Sequence, residues 1–353
     1  MAYQNKQNDI NFDEVINKPI NPVLVEFVRG DLVESQHRGS VVVTDASGRI
    51  RFSVGDFQSS IFPRSAIKPL QALMLVETGA ADTFGLDLSE IALACSSHSG
   101  SQKHVEILRK WLNKIGCDET DLTCGPSWPL ENIENECIPK SDGLPSRLQD
   151  NCSGKHAALL TVAKHLNYPM YGYTRLDHPI QQNLLQLLEQ MTDMDLMHAP
   201  KTIDGSGVPA LAVSPEKFAC AMARLVNPDM LTEKRKFAAN KIVEAIIKHP
   251  FLFAGNKRFE TRIIQACQGQ VLLKAGSQGV YGAGFPKLGL GVALKIDDGS
   301  QKAAEIAMMQ VLRIFDVLSE RAKGMLLNIL EPPIFTRSGE VVGVAKGVGP
   351  LTT

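Results

Sequence analysis

No stretch of this chain approaches the roughly 18 consecutive apolar residues that a membrane-spanning helix needs, so no span is expected. The first ten residues, Met1-Ala2-Tyr3-Gln4-Asn5-Lys6-Gln7-Asn8-Asp9-Ile10, are polar and lack the apolar core of an export signal. An excess of one charge is missing too: 37 Lys and Arg stand against 38 Asp and Glu, a formal charge of −1 over 353 residues. Such a balance gives no field to steer nucleic acid or anionic lipid, and a small-molecule partner is expected. The seven cysteines are an odd number without C-x-x-C or other close metal spacing. That pattern favours reduced thiols in the cytoplasm over a disulfide framework. Repeats and low-complexity tracts are absent. What remains is an ordinary globular composition, 44% hydrophobic and 21% charged, long enough to bury one large core or two moderate ones.

Residues 1–20 read as a flexible lead-in. Four short β-like runs follow at 23–28, 32–37, 40–44 and 49–54, with Gly30-Asp31, Arg38-Gly39 and Ser47-Gly48 as turns, an antiparallel meander. Helical spacing takes over at 69–78, ending at Gly79. It returns at 89–95, capped by Ser89-Glu90, and at 101–114. Residues 118–151 form a proline-rich loop, and loops of that length are commonly functional. Helices resume at 154–166, 179–191, 215–226 and 232–248. A period of two marks strands at 270–275, 279–285 and 288–296, followed by one helix over 301–321 and a strand near 340–345. The expected fold is α/β (α+β): an antiparallel sheet built from both chain ends (about 21–60 and 270–353), flanked by helices, with an all-helical middle lobe (about 65–265) in one domain. A crevice is expected where the sheet meets that lobe.

The stretch Pro63-Arg64-Ser65-Ala66-Ile67-Lys68-Pro69-Leu70 places a nucleophile and a base one helical turn apart, so the Lys68 amine can reach the Ser65 hydroxyl. Lysine activates serine only as the neutral amine, which requires desolvation or a neighbouring cation. The same spacing recurs at Ser214 and Lys217, where Ser214-Pro215-Glu216 reads as a helix cap; Ser65 is open to a capping role as well. Lys274 closes a strand before Ala275-Gly276, as a cleft residue or a solvated edge-strand lysine. Ser97-His98-Ser99-Gly100 lies between two helices, as a cap or a site. Asn151-Cys152-Ser153-Gly154-Lys155-His156 opens a helix whose free N–H groups favour an anion and lower a thiol's pKa, or is a core cysteine followed by a glycine cap. Asp204-Gly205-Ser206-Gly207 is a tight turn with an acid at its mouth.

Together these motifs, in this order over nearly the whole chain, resemble the rhizobial-type L-asparaginases, which share a serine β-lactamase-like fold. The resemblance implies two Ser-Lys pairs, Ser65 with Lys68 and Ser97 with Lys274. The partly matching Lys274-Ala275-Gly276 and the absence of S-D-N argue against penicillin binding. It further implies hydrolysis of L-asparagine in the cytoplasm by a homodimer. Arg64, His98 and His156 would meet the substrate, and Asp204 its ammonium. The family's zinc ligands are two cysteines and a lysine. Cys152 and Lys155 match, but Ser206 stands at the second cysteine position, so the implied zinc site is weakened or lost and no cofactor is required. A glutaminase, a small acyltransferase or a catalytically silent amino-acid-binding protein are the alternatives.

Overall fold

The computed structural model describes residues 20–130 and 144–352. The expected lead-in up to residue 19, and residues 131–143 of the long loop, lie outside the described residues. Alternation along β-branched runs decides how the strands face. The strands are β1 (Val23–Arg29), β2 (Leu32–Asp45), β3 (Ile50–Val54), β4 (Lys201–Ile203), β5 (Pro209–Leu211), β6 (Leu272–Ala275), β7 (Val280–Phe285), β8 (Leu290–Ile296), β9 (Pro333–Phe335) and β10 (Val341–Gly347). Eight of them form one antiparallel sheet in the order β6-β7-β8-β2-β1-β10-β9, with β3 paired to the second half of β2. The sheet is therefore assembled from both ends of the chain.

The middle of the chain carries α1 (Leu88–Ala94), α2 (Gln102–Lys114), α3 (Ser153–His165), α4 (Pro179–Thr192), α5 (Pro215–Val226), α6 (Glu233–Lys248), α7 (Pro250–Ala254) and α8 (Phe259–Ala266); α9 (Gln301–Ile314) and α10 (Glu320–Leu330) follow the sheet. Successive strand residues point to opposite faces. Val41 and Val43 join a core with α8, α9 and α10, whereas Val42 joins the core of the middle helices. In β6, Leu272 faces the middle helices and Leu273 the other core, so Lys274 points toward the helical lobe. Glycines let α5 settle onto that face: a Cβ on Gly291 would lie 2.0 Å from the Ala219 carbonyl oxygen, and one on Gly282 2.6 Å from the Phe218 ring.

Several expectations are corrected. Arg38-Gly39 is not a turn but the middle of one 14-residue strand. Gly39 pairs with Ile296, and a Cβ there would meet the Lys295 carbonyl oxygen, so the glycine serves close strand approach. The helix expected over 301–321 is two: Asp316 takes a left-handed φ of 48°, and the Ser319 hydroxyl then caps α10 by accepting the Ala322 N–H. α1 is capped by Asp87 rather than Ser89, in a reciprocal box with Glu90. The middle is not all helical, since β4 and β5 form a hairpin around residues 204–208.

Seating of α5 on β8 gives the first test. Gly291→Ala should lower unfolding stability by at least ~2 kcal/mol through overpacking against backbone. Gly324→Ala, in open space within α10, should raise it by roughly 0.5–1 kcal/mol. Urea unfolding measures both, and a Gly291→Ala protein as stable as the parent would contradict the close contact.

Candidate active site

Residues 64–77 form three short helical turns, Arg64–Ile67, Lys68–Gln71 and Leu73–Glu77. Pro69 occupies the start of the second, where its missing N–H costs nothing. Arg64 has φ 53°, a left-handed conformation that costs a non-glycine residue about 1 kcal/mol, and it sits immediately before Ser65. The turn abuts the end of β6 because Gly276 has no side chain: a Cβ there would lie 2.4 Å from the Pro63 carbonyl oxygen. The sequence-distant turn that carries Ser65 and the strand that carries Lys274 thus become neighbours in the fold. Ser65 caps nothing, and among the described residues its half-buried hydroxyl makes no hydrogen bond, to Lys68 or otherwise. Ser214 does cap α5, accepting the Lys217 N–H at 3.4 Å.

Lys68 turns instead toward Ser97. Its Nζ donates to the Ser96 carbonyl (2.6 Å), the Ser97 hydroxyl (3.1 Å) and the Asn151 carbonyl (3.3 Å), three acceptors for the three N–H bonds of an ammonium. Lys274 Nζ reaches the same Ser97 Oγ at 2.9 Å and the Ala275 carbonyl at 2.9 Å, with Glu260 Oε1 4.0 Å away. Both lysines are buried, which removes the edge-lysine reading of Lys274. Burial pushes the Lys274 amine down, Glu260 pulls it up and Lys68 pushes it down again, to about 7. Near neutrality a large fraction of Lys274 therefore carries a lone pair, and Ser97 can donate its proton to Lys274 while accepting one from Lys68.

The remaining predicted residues divide. Arg64 and Asp204 line one pocket with Pro63, Ile67 and Leu211. Asp204 accepts from Lys155 Nζ at 2.6 Å and, through Oδ1, from the Ser206 N–H and hydroxyl at 2.8 Å each. Burial raises its pKa, but the Lys155 ammonium and these bonds outweigh that and hold it well below the usual carboxylate range. Lys155 Nζ also meets Ser206 Oγ at 2.9 Å, while the Cys152 thiol donates to Asn151 Oδ1 at 3.0 Å. His156 accepts from the Tyr173 hydroxyl on Nδ1 (2.7 Å) and leaves a buried Nε2 without a partner.

His98 is placed differently from expectation. It is fully buried, accepts the Gly100 N–H on Nδ1 (3.1 Å) and donates through Nε2 to Ser153 (2.9 Å). Burial, then His104 and Lys68, keep it neutral. Both nitrogens are committed to pinning the Ser97 loop to the first turn of α3, so no nitrogen is left for a substrate. Residues missed in the sequence are Glu260, which reads there as an ordinary first-turn acid of a helix, and Tyr173, which carries no local signal.

A sequence profile described as L-asparaginase II matches residues 25–346. No curated protein matches the chain. Among solved structures the chain is similar to a proposed β-lactamase from Bacteroides dorei DSM 17855, at 12% identity over 78% of this chain and 93% of that one, TM-score 0.43. It is similar to a β-lactamase from Mycobacterium bovis at 10% identity over 90% and 99%, TM-score 0.42. It is also similar to simvastatin synthase from Aspergillus terreus at 12% identity over 81% and 94%, TM-score 0.38. Likenesses this remote leave the assignment resting on the profile, which spans most of the sequence and nearly every element described above. The chain belongs to the L-asparaginase II family of hydrolases.

Proposed function

We propose that this protein hydrolyses the side-chain amide of L-asparagine to L-aspartate and ammonia through an acyl-enzyme on Ser65. The observation that carries this reading is the Lys68–Ser97–Lys274 chain of hydrogen bonds one helical turn from Ser65, within a family of amide hydrolases. With Lys274 neutral, Ser97 passes its proton to Lys274 and takes one from Lys68, which leaves Lys68 as the free amine. Ser65 then gives its proton to Lys68 as its oxygen bonds to the amide carbon. The Lys68 contact with Ser65 has to tighten on binding, as catalytic contacts commonly do in going from the free enzyme to the complex. The Ser65 N–H, in the first turn and so without an intrahelical acceptor, faces the developing oxyanion. As the C–N bond breaks, Lys274 returns its proton through Ser97 to the departing nitrogen and is neutral again for the attack of water.

Arg64 or the unpartnered Nε2 of His156 takes the substrate carboxylate, and Asp204 the ammonium beside Lys155. His98 has no place among these contacts and acts by holding Ser97. Zinc has none either. One thiol, a neutral hydroxyl and a lysine whose amine is ion-paired with Asp204 do not fit the thiolate and imidazole preference of that metal. A second reading makes Ser97 the nucleophile, favoured by the two amines that contact it.

Ser65→Ala should lower asparagine turnover by 10³-fold or more, on the order expected for loss of a covalent nucleophile. Ser214→Ala should cost only its cap, about 1 kcal/mol of stability. Mass spectrometry of acid-quenched enzyme should find the acyl adduct on the peptide holding Ser65, and an adduct on Ser97 would establish the second reading. Absence of ammonia release from asparagine with the parent protein would favour a silent binding protein.

Because proton loss from Lys274 creates the acceptor, kcat/KM should rise with pH through about 7, its acid limb being that of Lys274. A profile flat from about pH 6 to 9 would remove Lys274 from this role.

The protein should purify with well under one zinc per chain and keep its activity in chelator. Ser206→Cys should bind zinc more tightly, as metal analysis of the two proteins will show. Stoichiometric, chelator-resistant zinc in the parent would overturn the reading of this donor set.

A further inference from the structure

Resting on the reading of Lys274 as proton acceptor, we propose that Glu260 is the positioning residue that holds Lys274 between its charged and neutral forms. Glu260 lies in the first turn of α8, where an acid normally projects into water, yet it is 2% exposed. Around it Phe259 and Ile263 pack into the apolar core. Its Oε1 accepts the N–H of Ala275, on the edge strand β6, at 3.3 Å and lies 4.0 Å from Lys274 Nζ. Its Oε2 is buried without a hydrogen-bond partner. A buried carboxylate oxygen left unbonded is costly and calls for a charge partner, which the adjoining amine supplies.

The groups around the pair are limited. Lys68, Arg258 and Cys152 act on Lys274 besides Glu260. Tyr281 and Glu305, which are 3.5 Å apart, feel the Glu260 charge as well, with Arg258 acting on both. Burial and then Glu260 raise Glu305 to about 7. Burial beside Lys68 would by itself drive Lys274 to its neutral form, able to accept a proton but reluctant to keep one. The carboxylate behind it opposes that drift, so that the same amine accepts a proton from Ser97 and returns it.

The test is Glu260→Gln, which keeps an acceptor for the Ala275 N–H and removes the charge. In protein labelled with [15N]lysine, the Lys274 side-chain signal, assigned by its loss in Lys274→Arg, should titrate roughly one to three pH units lower than in the parent, the range for removing a unit charge about 4 Å away. The acid limb of kcat/KM should move down with it. An unchanged Lys274 midpoint overturns the proposal, whatever happens to activity. A lowered midpoint with an unmoved acid limb upholds it and instead rejects Lys274 as the proton acceptor. If Glu260→Gln does not fold, Glu260→Asp decides. Its carboxylate is drawn back by one methylene, so a smaller drop in the Lys274 midpoint upholds the proposal and no drop overturns it.

Discussion

Two buried lysines sharing one serine hydroxyl is the constraint around which this molecule is arranged. Because both amines touch Ser97 Oγ, they lie no more than about 6 Å apart. At an effective dielectric near 20, two charges at about that distance repel by roughly 3 kcal/mol, equivalent to about two pH units. Holding both as ammonium groups in a dry interior is therefore unfavourable, and the cheapest relief is for one to lose its proton. Lys68 is ringed by three oxygen acceptors, whereas Lys274 has two oxygen acceptors and a more distant carboxylate. Burial and the neighbouring Lys68 bring the Lys274 amine down to about 7, against the upward pull of Glu260, so near neutrality it exists in both forms.

The surrounding fold keeps that cluster from relaxing. Ser97 is tied through its backbone N–H to the Phe253 carbonyl. His98, next in sequence, is clamped between the Gly100 N–H and Ser153, with its ring stacked on His104 at 4.9 Å and His104 in turn on Phe251. Gly276 allows the Ser65 turn to close against β6, and Gly154 allows α3 to approach the Leu93 carbonyl, where a Cβ would sit 2.1 Å away. The Ser97 bond and the two glycine approaches are contacts between backbone and backbone. They transmit position with little slack, which the proposed proton chain through hydrogen bonds near 3 Å would demand.

The second cluster, Lys155 with Asp204 and Ser206, works by the opposite logic. Here charge is compensated where it arises: one amine faces one carboxylate, and the hydroxyl of Ser206 bridges both. A thiolate at that position would compete with Asp204 for the same amine, while a hydroxyl completes the hydrogen bonding of the pair without adding charge. Ser206, at the place where the resemblance implies a second cysteine, fits the ion pair that stands there.

Much of this was legible in the chain itself. Period-two runs at both ends announced a sheet made of the two termini, and Ser214, Thr232 and Ser101 marked helix starts that the structure bears out, because caps and alternation are local physics acting within four residues. Local reading failed where glycine served a distant neighbour, as at Gly39, and where a left-handed Asp316 divided a helix. It also could not say that Lys68 would turn from Ser65 to Ser97, that His98 would have both nitrogens occupied, or that Glu260 would be buried behind Lys274. Those outcomes depend on residues tens to hundreds of positions apart meeting in a medium of low dielectric. The residue types were written in the sequence; which oxygen each amine would face, and hence which amine loses its proton, was decided only when the chain closed on itself and excluded water.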